Sequence, residues 1–425
     1  MIDFLLLYEN KGREIESLCL LKLELEHRGY SVVIEQIQYF FKRKYRTKVV
    51  VTPFLYNDND LYKYVFCIAG KSQKIINLRW EQVFSRENEA NLDSFFYPKD
   101  EALKAVHVCW GINQANNLKK LNIEDKCLPV AGAMHLDLIR KKGYFKERSE
   151  IASNFNLCEE KKWILFISSF SHTTFSNKEK REIIEFLGKE RIEFIEISVQ
   201  SKEKVLDWLV RIGEKGYEVI YRPHPSEKKD QLLEKLERKF SYFHVISDES
   251  VGQWIYCSDR VLNWCSTSAI QSILLGKGDV ILRPVEIDYR KDVGIFDKAH
   301  KVKTYSELEM TLQEEVKKPK DESFSGYYRL DGSAYQEVAA VCEQCLKSEL
   351  DQDIDYERIL RCQPAWKRIK YEILYKLYVP LLGTLYRKGI LRRITASYGM
   401  VIRNTASEGE MDFMGKRIKG LLYEE

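Results

Sequence analysis

The chain of 425 residues has no apolar run that approaches the roughly 18 uncharged residues of a membrane-spanning helix. Its excess charge is small, because 68 lysines and arginines stand against 64 aspartates and glutamates. A formal net charge of +4 does not indicate a nucleic-acid-binding protein. The first run, Met1 to Tyr8, lacks the basic residues that open a signal peptide and favours a buried strand. We therefore expect a cytoplasmic protein.

The motifs of several common enzyme classes are also missing. No Gly-x-Gly-x-x-Gly fingerprint and no Gly-x-x-x-x-Gly-Lys-Ser/Thr loop occurs, so a nicotinamide enzyme or a P-loop NTPase lacks support. The absence of a Gly-x-Ser-x-Gly elbow argues against an α/β-hydrolase. The 10 cysteines are scattered, and their one close pair, Cys342 and Cys345, indicates a helix face because no second pair lies near it. Without a cluster of histidines and carboxylates, we expect neither a metal ion nor another cofactor.

Short apolar runs alternate with amphipathic helical stretches along most of the chain. This succession predicts βαβ units and parallel sheets. In the first third, the predicted strands include residues 4–8, 49–52, 65–69 and 75–78. A charged stretch at 140–160 interrupts the pattern as a candidate linker, and a second α/β series begins at Trp163. We predict an N-terminal Rossmann-like domain at 1–150, a C-terminal Rossmann-like domain at 151–345 and a basic helical region at 346–425.

The first candidate binding motif is Arg222-Pro223-His224-Pro225, directly after the predicted strand Val219 to Tyr221. Ligands of open parallel sheets bind at the carboxyl ends of the strands, and two prolines make this loop rigid. Arginine and histidine are both suited to a phosphate group. The alternative is a turn shaped by proline with a capping histidine.

The second motif is Ser266-Thr267-Ser268, between the predicted strand Val261-Leu262 and the predicted helix Ala269 to Leu275. Hydroxyl groups and free backbone N–H groups at the start of a helix favour an anion. Ordinary N-capping is the alternative, and it needs only one hydroxyl. Two anion-competent loops on adjacent strand ends of one domain favour a phosphate site.

Together, the two loops resemble the nucleotide-binding half of GT-B glycosyltransferases. The resemblance is strongest to enzymes with cytidine-nucleotide donors, namely bacterial sialyltransferases, capsule Kdo transferases and CDP-glycerol glycerophosphotransferases. Other segments are similar to bacterial surface carbohydrate (capsule and O-antigen) biosynthesis proteins: Tyr8 to Glu14, Asn77 to Gln82, Trp110-Gly111 and Phe166 to Ser171. The resemblance implies an α/β, GT-B-like fold in which two Rossmann-like domains face a cleft, followed by C-terminal helices.

The resemblance also implies donor-binding residues. In those families the histidine and the hydroxyl cluster contact the donor phosphate, a role that would fall to His224, Ser266, Thr267 and Ser268. Arg222 and His224 would neutralise phosphate charge as the glycosidic bond breaks, which makes His224 a catalytic candidate as well.

Two further contacts follow from the same resemblance. The loop after the next strand approaches the base or ribose of the nucleotide, which implies contacts from Glu249 and Ser250. N-capping by Ser250 or Asp248 is an equal alternative. His172, at the end of the first strand of the C-terminal domain, would lie near the donor phosphates.

The N-terminal half would hold the acceptor. An inverting transferase needs a carboxylate near the acceptor hydroxyl to take its proton. A retaining enzyme that works by double displacement would instead need a carboxylate nucleophile at the anomeric carbon. Glu81 follows the predicted strand 75–78 and is the first candidate for the catalytic carboxylate, with Glu14 the second. Arg13 and Arg79 are the basic residues expected on the acceptor side. The alternative is a surface carboxylate that caps a helix or pairs with one of these arginines.

The segment Trp366 to Arg393 contains eight basic residues and one acidic residue, with tyrosines and leucines between them. Such a pattern is typical of a helix on an anionic membrane surface, and a packing helix is the alternative. We therefore expect a cytoplasmic glycosyltransferase, peripheral on the inner face of the plasma membrane. Its partners would be a nucleotide-sugar donor, with a cytidine nucleotide favoured, and a glycan or lipid-linked glycan acceptor. The alternatives are a polyol-phosphate transferase that uses a CDP-polyol, a sugar-nucleotide epimerase, or a non-catalytic scaffold.

Overall fold

The computed structural model describes most of the chain in two compact units. The described residues are 1–37, 45–187, 190–278, 280–297, 299–316, 324–331, 333–347, 350, 352–366, 369 and 404–423. Unit 1 comprises Met1–Gln82, Asn88–Asp137 and Ser325–Glu425, and unit 2 comprises Val83–Glu87 and Leu138–Phe324.

Helices and strands alternate along both units. The strands are β1 Ile2–Tyr8, β2 Val32–Gln36, β3 Thr47–Thr52, β4 Ile75–Asn77, β5 Val106–His107, β6 Trp163–Ile167, β7 Glu218–Arg222, β8 Phe243–Val245, β9 Arg260–Asn263, β10 Val280–Leu282 and β11 His300–Val302. The helices are α1 Lys11–His27, α2 Asp58–Asp60, α3 Cys67–Ala69, α4 Arg86–Ala90, α5 Ile112–Lys119, α6 Arg148–Phe155, α7 Asn177–Leu187, α8 Glu190–Gly213, α9 Gln231–Lys239, α10 Val251–Cys257, α11 Ala269–Leu274, α12 Tyr305–Gln313, α13 Ala334–Leu346, α14 Tyr356–Cys362 and α15 Glu408–Tyr423. Short 3₁₀ turns include Met134–Leu136 and Ser171–Thr174.

Unit 1 is built on a parallel sheet with strand order β2-β1-β3-β4-β5. β1 lies between β2 and β3, and its five residues from Phe4 to Tyr8 are all buried. A continuous apolar run of this kind is typical of a parallel strand that is covered on both faces. The carboxyl ends of β1, β3, β4 and β5 therefore meet at one edge of this sheet.

Unit 2 is built on a second parallel sheet with strand order β11-β10-β9-β6-β7-β8. β6 is central, and all five of its residues are buried. It pairs with β7 on one side and with β9 on the other, so that Ile167 lies in register with both Arg222 and Asn263. The two sheets and their helices confirm the predicted fold class of two Rossmann-like α/β domains.

One predicted strand is wrong. Residues 65–69 lie in a π-helical turn, Leu61–Phe66, and in α3 that follows it. Leu61, Val65 and Ile68 are all fully buried, which is the spacing of one helix face. A short apolar run cannot by itself distinguish a buried strand from a buried helix segment.

The domain boundaries also differ from the prediction. The charged stretch at 140–160 belongs to unit 2 and is no linker, because Arg148 packs over the Trp163 ring at 4.3 Å and pairs with Asp259 at 2.9 Å. Residues 83–87 also belong to unit 2, where Ser85 forms a β-bridge with Val293.

The helices near the C-terminus return to unit 1, so their described part is no separate region. Glu343 of α13 pairs with Arg28 at 2.9 Å, and Glu410 of α15 pairs with Lys11 at 2.8 Å. Asp137 accepts hydrogen bonds from the first two backbone N–H groups of α13. Cys342 and Cys345 are fully buried on α13, as expected for a helix face.

The described part of the chain contains no helix that is long and apolar enough to span a membrane. The predicted membrane segment 366–393 lies almost entirely outside the described residues. Of its members, Trp366 is 63% exposed and Ile369 is 57% exposed.

Candidate functional site

Polar side chains gather at the carboxyl edge of the sheet in each unit. In unit 1 this group is the Arg13 cluster, formed by Glu9, Arg13, Glu14 and Glu81. Asn10 caps α1 by accepting a hydrogen bond from the backbone N–H of Gly12 at 3.0 Å. This cap begins the helix directly after β1 and places Arg13 and Glu14 in its first turn.

Arg13 is the centre of the cluster. It donates to Glu81 Oε1 at 2.7 Å, to Glu14 Oε1 at 2.6 Å and to Glu9 Oε2 at 3.4 Å. The nearby carboxylates raise the pKa of the Arg13 guanidinium although burial opposes them. Arg13, Glu14 and Glu81, all predicted on the acceptor side, are therefore in contact. The pairing of Glu81 with Arg13 is the contact that the alternative interpretation of this carboxylate expected.

The two candidate catalytic carboxylates differ in access. Glu14 is fully buried; its Oε1 accepts two hydrogen bonds from Arg13, and its Oε2 accepts one from the backbone N–H of Glu9 at 2.7 Å. Burial raises the pKa of Glu14, and Arg13 opposes this rise. The Glu81 side chain is 56% exposed, and among the described residues it is bound only through Oε1. The Glu81 side chain is thus accessible to solvent, whereas that of Glu14 is enclosed and pairs with Arg13.

Arg79 lies in the core of unit 1 and is 1% exposed. Its guanidinium donates to Gln114 Oε1 at 3.4 Å and to the carbonyl of Phe96 at 3.3 Å, and it lies 5.9 Å from the Tyr97 ring. Within the described part of the chain it contacts no carboxylate, and its Nε has no hydrogen-bond partner. Burial lowers the pKa of Arg79. Because it is enclosed in the core, Arg79 is not accessible to an acceptor in this conformation.

His135 is a neighbour of the Arg13 cluster that the sequence analysis missed. Its ring centroid lies 5.0 Å from that of Trp110 and 6.4 Å from that of Trp80. Its Nδ1 is buried and has no partner among the described residues. Burial and the charge of Arg13 lower the pKa of His135 to about 4. His135 stands in a short 3₁₀ turn outside any recognisable motif, so the sequence carried no signal for it.

In unit 2 the two predicted phosphate loops flank the end of β6. Neighbouring strands lie about 4.8 Å apart, so Arg222 and Asn263 begin the two loops about 10 Å from each other, with Ile167 between them. The prediction of adjacent strand ends is therefore wrong by one strand. The segment after β6, which contains His172, lies between the loops in the sheet order.

His224 is held as a hydrogen-bond donor. The backbone N–H of Ser226 donates to His224 Nδ1 at 3.1 Å, so the neutral ring carries its proton on Nε2. Partial burial lowers the pKa of His224, and Glu227 opposes this effect. Arg222 donates to the carbonyl oxygens of Asp248 and Glu249, each at 2.6 Å, and so ties the loop after β7 to the loop after β8.

A buried set of polar side chains lies behind the His224 loop and was also missed by the sequence analysis. We call it the Glu227 network; its members are Ser168, Lys202, Tyr221, Glu227 and Asp230. The Glu227 side chain has no exposed surface and that of Lys202 is 4% exposed, and the two pair at 2.7 Å. Lys202 comes from α8, far along the chain from the loop, and no sequence pattern links the two.

The hydroxyl cluster forms its own turn before α11. Ser266 Oγ accepts a hydrogen bond from the backbone N–H of Ser268 at 3.3 Å, and the backbone N–H of Ser266 donates to Asn263 Oδ1 at 3.2 Å. Ser268 stands at the N-cap but makes no capping hydrogen bond through its side chain. Thr267 is exposed, and the two serines are half-buried.

The remaining donor-side candidates have local partners. Glu249 pairs with Lys146 at 2.8 Å, and its φ of 59° is left-handed. Ser250 caps α10 by accepting a hydrogen bond from the backbone N–H of Gln253 at 3.0 Å, as the capping alternative expected. The His172 ring packs edge-on against Phe175, with centroids 5.2 Å apart.

No group of three metal-binding side chains occurs in the part of the chain that the structure describes. Asp58-Asn59-Asp60 has the Asp-x-Asp spacing of some metal-dependent transferases. Its carboxylates accept backbone hydrogen bonds instead, Asp58 from Glu101 and Asp60 from Tyr56, each at 3.0 Å.

No protein-family model and no curated protein sequence matches this chain. Among solved structures, a variant of the wall teichoic acid polymerase TagF has a TM-score of 0.53 at 12% identity, over 82% of this chain and 90% of that one. The UDP-GlcNAc 2-epimerase of Methanocaldococcus jannaschii, in complex with UDP-GlcNAc and UDP, has a TM-score of 0.51 at 12% identity, over 80% and 99%. At these identities the likeness concerns the fold alone, and it agrees with the GT-B-like class.

Proposed function

We propose that this protein is a glycosyltransferase that moves a sugar from a nucleotide-activated donor, with a cytidine nucleotide favoured, to a surface-polysaccharide acceptor. The observation that carries the proposal is the His224 loop. It presents a neutral Nε2–H donor at the carboxyl end of β7, with the hydroxyl cluster at the end of β9. Hydrogen-bond donors that are fixed before the reaction stabilise negative charge as it develops on a leaving phosphate.

In this proposal, unit 2 binds the donor and unit 1 binds the acceptor. His224 Nε2–H and the hydroxyls of Ser266 and Thr267 would donate to the donor phosphate. Glu81 would take the proton of the acceptor hydroxyl as the new glycosidic bond forms. Glu14 would fix Arg13, whose contact with Glu81 Oε1 leaves Glu81 Oε2 available for that proton.

The structural neighbours support a nucleotide-dependent reaction of carbohydrate metabolism without selecting its class. One is named as a wall teichoic acid polymerase, and the other as an epimerase solved with UDP-GlcNAc. Transfer of a polyol phosphate and epimerisation of a sugar nucleotide are therefore the rival reactions. Product analysis separates the three, because only glycosyl transfer releases a nucleoside phosphate while it forms a new glycosidic bond.

A thermal-shift screen with CMP, CDP, UDP and GDP tests the donor site. A ligand at about 100 times its Kd stabilises the folded state by about 2.7 kcal/mol, which should raise Tm by a few degrees. We expect CMP or CDP to give this shift in the wild type and His224→Ala to lose it, with affinity at least ~10-fold weaker. His244→Ala is the matched control, because His244 lies within β8 and its Nε2 contacts Glu218 at 2.7 Å. If folded His224→Ala shows the same Tm shift as the wild type, the assignment of His224 to the donor phosphate is wrong.

We further propose that residues 366–393 hold the protein at an anionic membrane surface, where a lipid-linked acceptor would be found. The support is the charge pattern of the segment together with the exposed Trp366 and Ile369 at its start.

A further inference from the structure

The geometry points to Glu227 as the residue that positions His224 for the donor phosphate, a role that rests on the proposed function. Glu227 forms two hydrogen bonds with the backbone of His224, one as donor and one as acceptor. Its backbone N–H donates to the carbonyl of His224 at 2.7 Å, and its Oε2 accepts from the backbone N–H of His224 at 3.2 Å. The turn from 224 to 227 is thereby fixed from inside the unit.

Each carboxylate oxygen of Glu227 accepts two hydrogen bonds. Oε1 accepts from Lys202 Nζ at 2.7 Å and from the hydroxyl of Tyr221 at 2.9 Å. Oε2 accepts from Ser168 Oγ at 2.6 Å in addition to the backbone of His224. Ser168 follows β6 and Tyr221 belongs to β7, so the carboxylate joins two strand ends to the loop.

Lys202 anchors the network from α8. Its ammonium group also donates to Asp230 Oδ2 at 2.7 Å, and Asp230 caps α9 by accepting from the backbone N–H of Leu232 at 2.8 Å. Lys202 is 3% exposed, so removal of the Glu227 charge would leave a buried ammonium with Asp230 as its remaining carboxylate partner.

A buried ion pair is weak support for stability, because apolar residues of similar volume often replace such pairs without loss. A fully satisfied buried network does, however, select a single conformation. Here that conformation is the turn that directs His224 Nε2–H. Glu227 does not reach a ligand itself, since its side chain is wholly buried. It acts through His224 as a positioning residue.

The same strand supplies a matched control. Glu218 begins β7, and its side chain is 5% exposed. It accepts from Lys161 Nζ at 2.9 Å and lies 2.7 Å from His244 Nε2. Glu218 and Glu227 are thus both buried carboxylates with a lysine and a histidine nearby, but only Glu227 contacts the His224 loop.

The test is ¹⁵N-histidine NMR of the full-length protein, with the His224 and His244 signals assigned by His224→Ala and His244→Ala. We expect Glu227→Gln to shift the ring signals of His224 and to leave those of His244 in place. Glu218→Gln should do the reverse. If Glu227→Gln does not fold, Tyr221→Phe is the second variant. It removes, at nearly constant volume, a hydroxyl that lies 2.9 Å from both Glu227 Oε1 and Ser168 Oγ, and it should give a smaller shift of the His224 signals.

Nucleotide affinity supplies the second readout, with CDP as the probe. Glu227→Gln should weaken CDP binding at least about fivefold in the wild-type background and leave it unchanged in the His224→Ala background. The reason is that substitutions at contacting residues do not have additive effects on the binding free energy. Equal weakening in both backgrounds, or unmoved His224 signals, overturns the positioning role. If the wild type binds none of the four nucleotides, the proposed function fails instead, and the NMR shifts distinguish the two failures.

Discussion

Asp137 makes the stability of unit 1 depend on pH in a way that one substitution isolates. Its carboxylate accepts hydrogen bonds from the backbone N–H groups of Ala334 at 3.0 Å and Tyr335 at 2.7 Å. Burial raises the pKa of Asp137 from 3.8 to about 6, although the two hydrogen bonds oppose this rise. Because the folded pKa is the higher one, the associated stability is complete below about pH 4 and is lost as the pH rises through about 6.

A difference of two pKa units corresponds to roughly 3 kcal/mol. Asp137→Asn keeps an acceptor oxygen for α13 but does not titrate. We therefore expect the unfolding free energy of the wild type, measured relative to that of Asp137→Asn, to fall by up to about 3 kcal/mol between pH 4 and pH 7. Urea unfolding of both proteins, followed by tryptophan fluorescence from pH 4 to pH 7, gives the difference between their unfolding free energies. The contributions of the other titrating groups are the same in both proteins and cancel in this difference.

Asp331→Asn is the control for this measurement, because the Asp331 side chain lies in the same unit and is 72% exposed. We expect its difference from the wild type to vary much less with pH. If the Asp137→Asn difference stays constant from pH 4 to pH 7, the carboxylate is not held in a raised-pKa environment. The reasoning from burial would then be refuted.

Two further predictions concern the acceptor side and the basic segment 366–393, here called the tail. Glu81→Gln should lower kcat by ~100-fold or more while CDP affinity persists, and turnover near that of the wild type would move the proton-accepting role elsewhere. The wild type should bind liposomes only when they contain anionic lipid, and the binding should fade as the Debye length falls from about 10 Å at 0.1 M salt to about 3 Å at 1 M. Charge reversal at four basic residues of the tail should release the protein from the liposomes while CDP binding remains; these are Lys367, Arg368, Arg392 and Arg393. If the wild type does not bind anionic liposomes at low salt, the tail is a packing element.

The sequence was most informative where one chain segment carries the whole signal. The apolar runs at 4–8 and 163–167 are strands because parallel strands buried on both faces need continuous apolar residues. Arg222-Pro223-His224-Pro225 could be placed at a strand end for the same reason. Ser250 could be assigned two roles, and the structure shows the capping one.

The sequence was least informative where a contact joins distant segments. Lys202 and Glu227 meet only because α8 packs beside β7, and His135 meets Trp80 and Trp110 only in the folded unit. The direction of the Arg79 side chain is set by the left-handed φ of this residue, 49°, a conformation that few non-glycine residues adopt. No sequence motif predicted it. Tertiary packing decided each of these positions.

The division of the chain between the units has a consequence for how the protein can be altered. The chain passes between them at four points, after Gln82, Glu87, Asp137 and Phe324. Neither unit is therefore a continuous gene segment that recombination could exchange in a single event. An exchange of 138–324 alone would separate Val293 from Ser85, its β-bridge partner within unit 2. If unit 2 binds the donor as proposed, changes of donor specificity should accumulate by point substitution in its loops more readily than by domain shuffling.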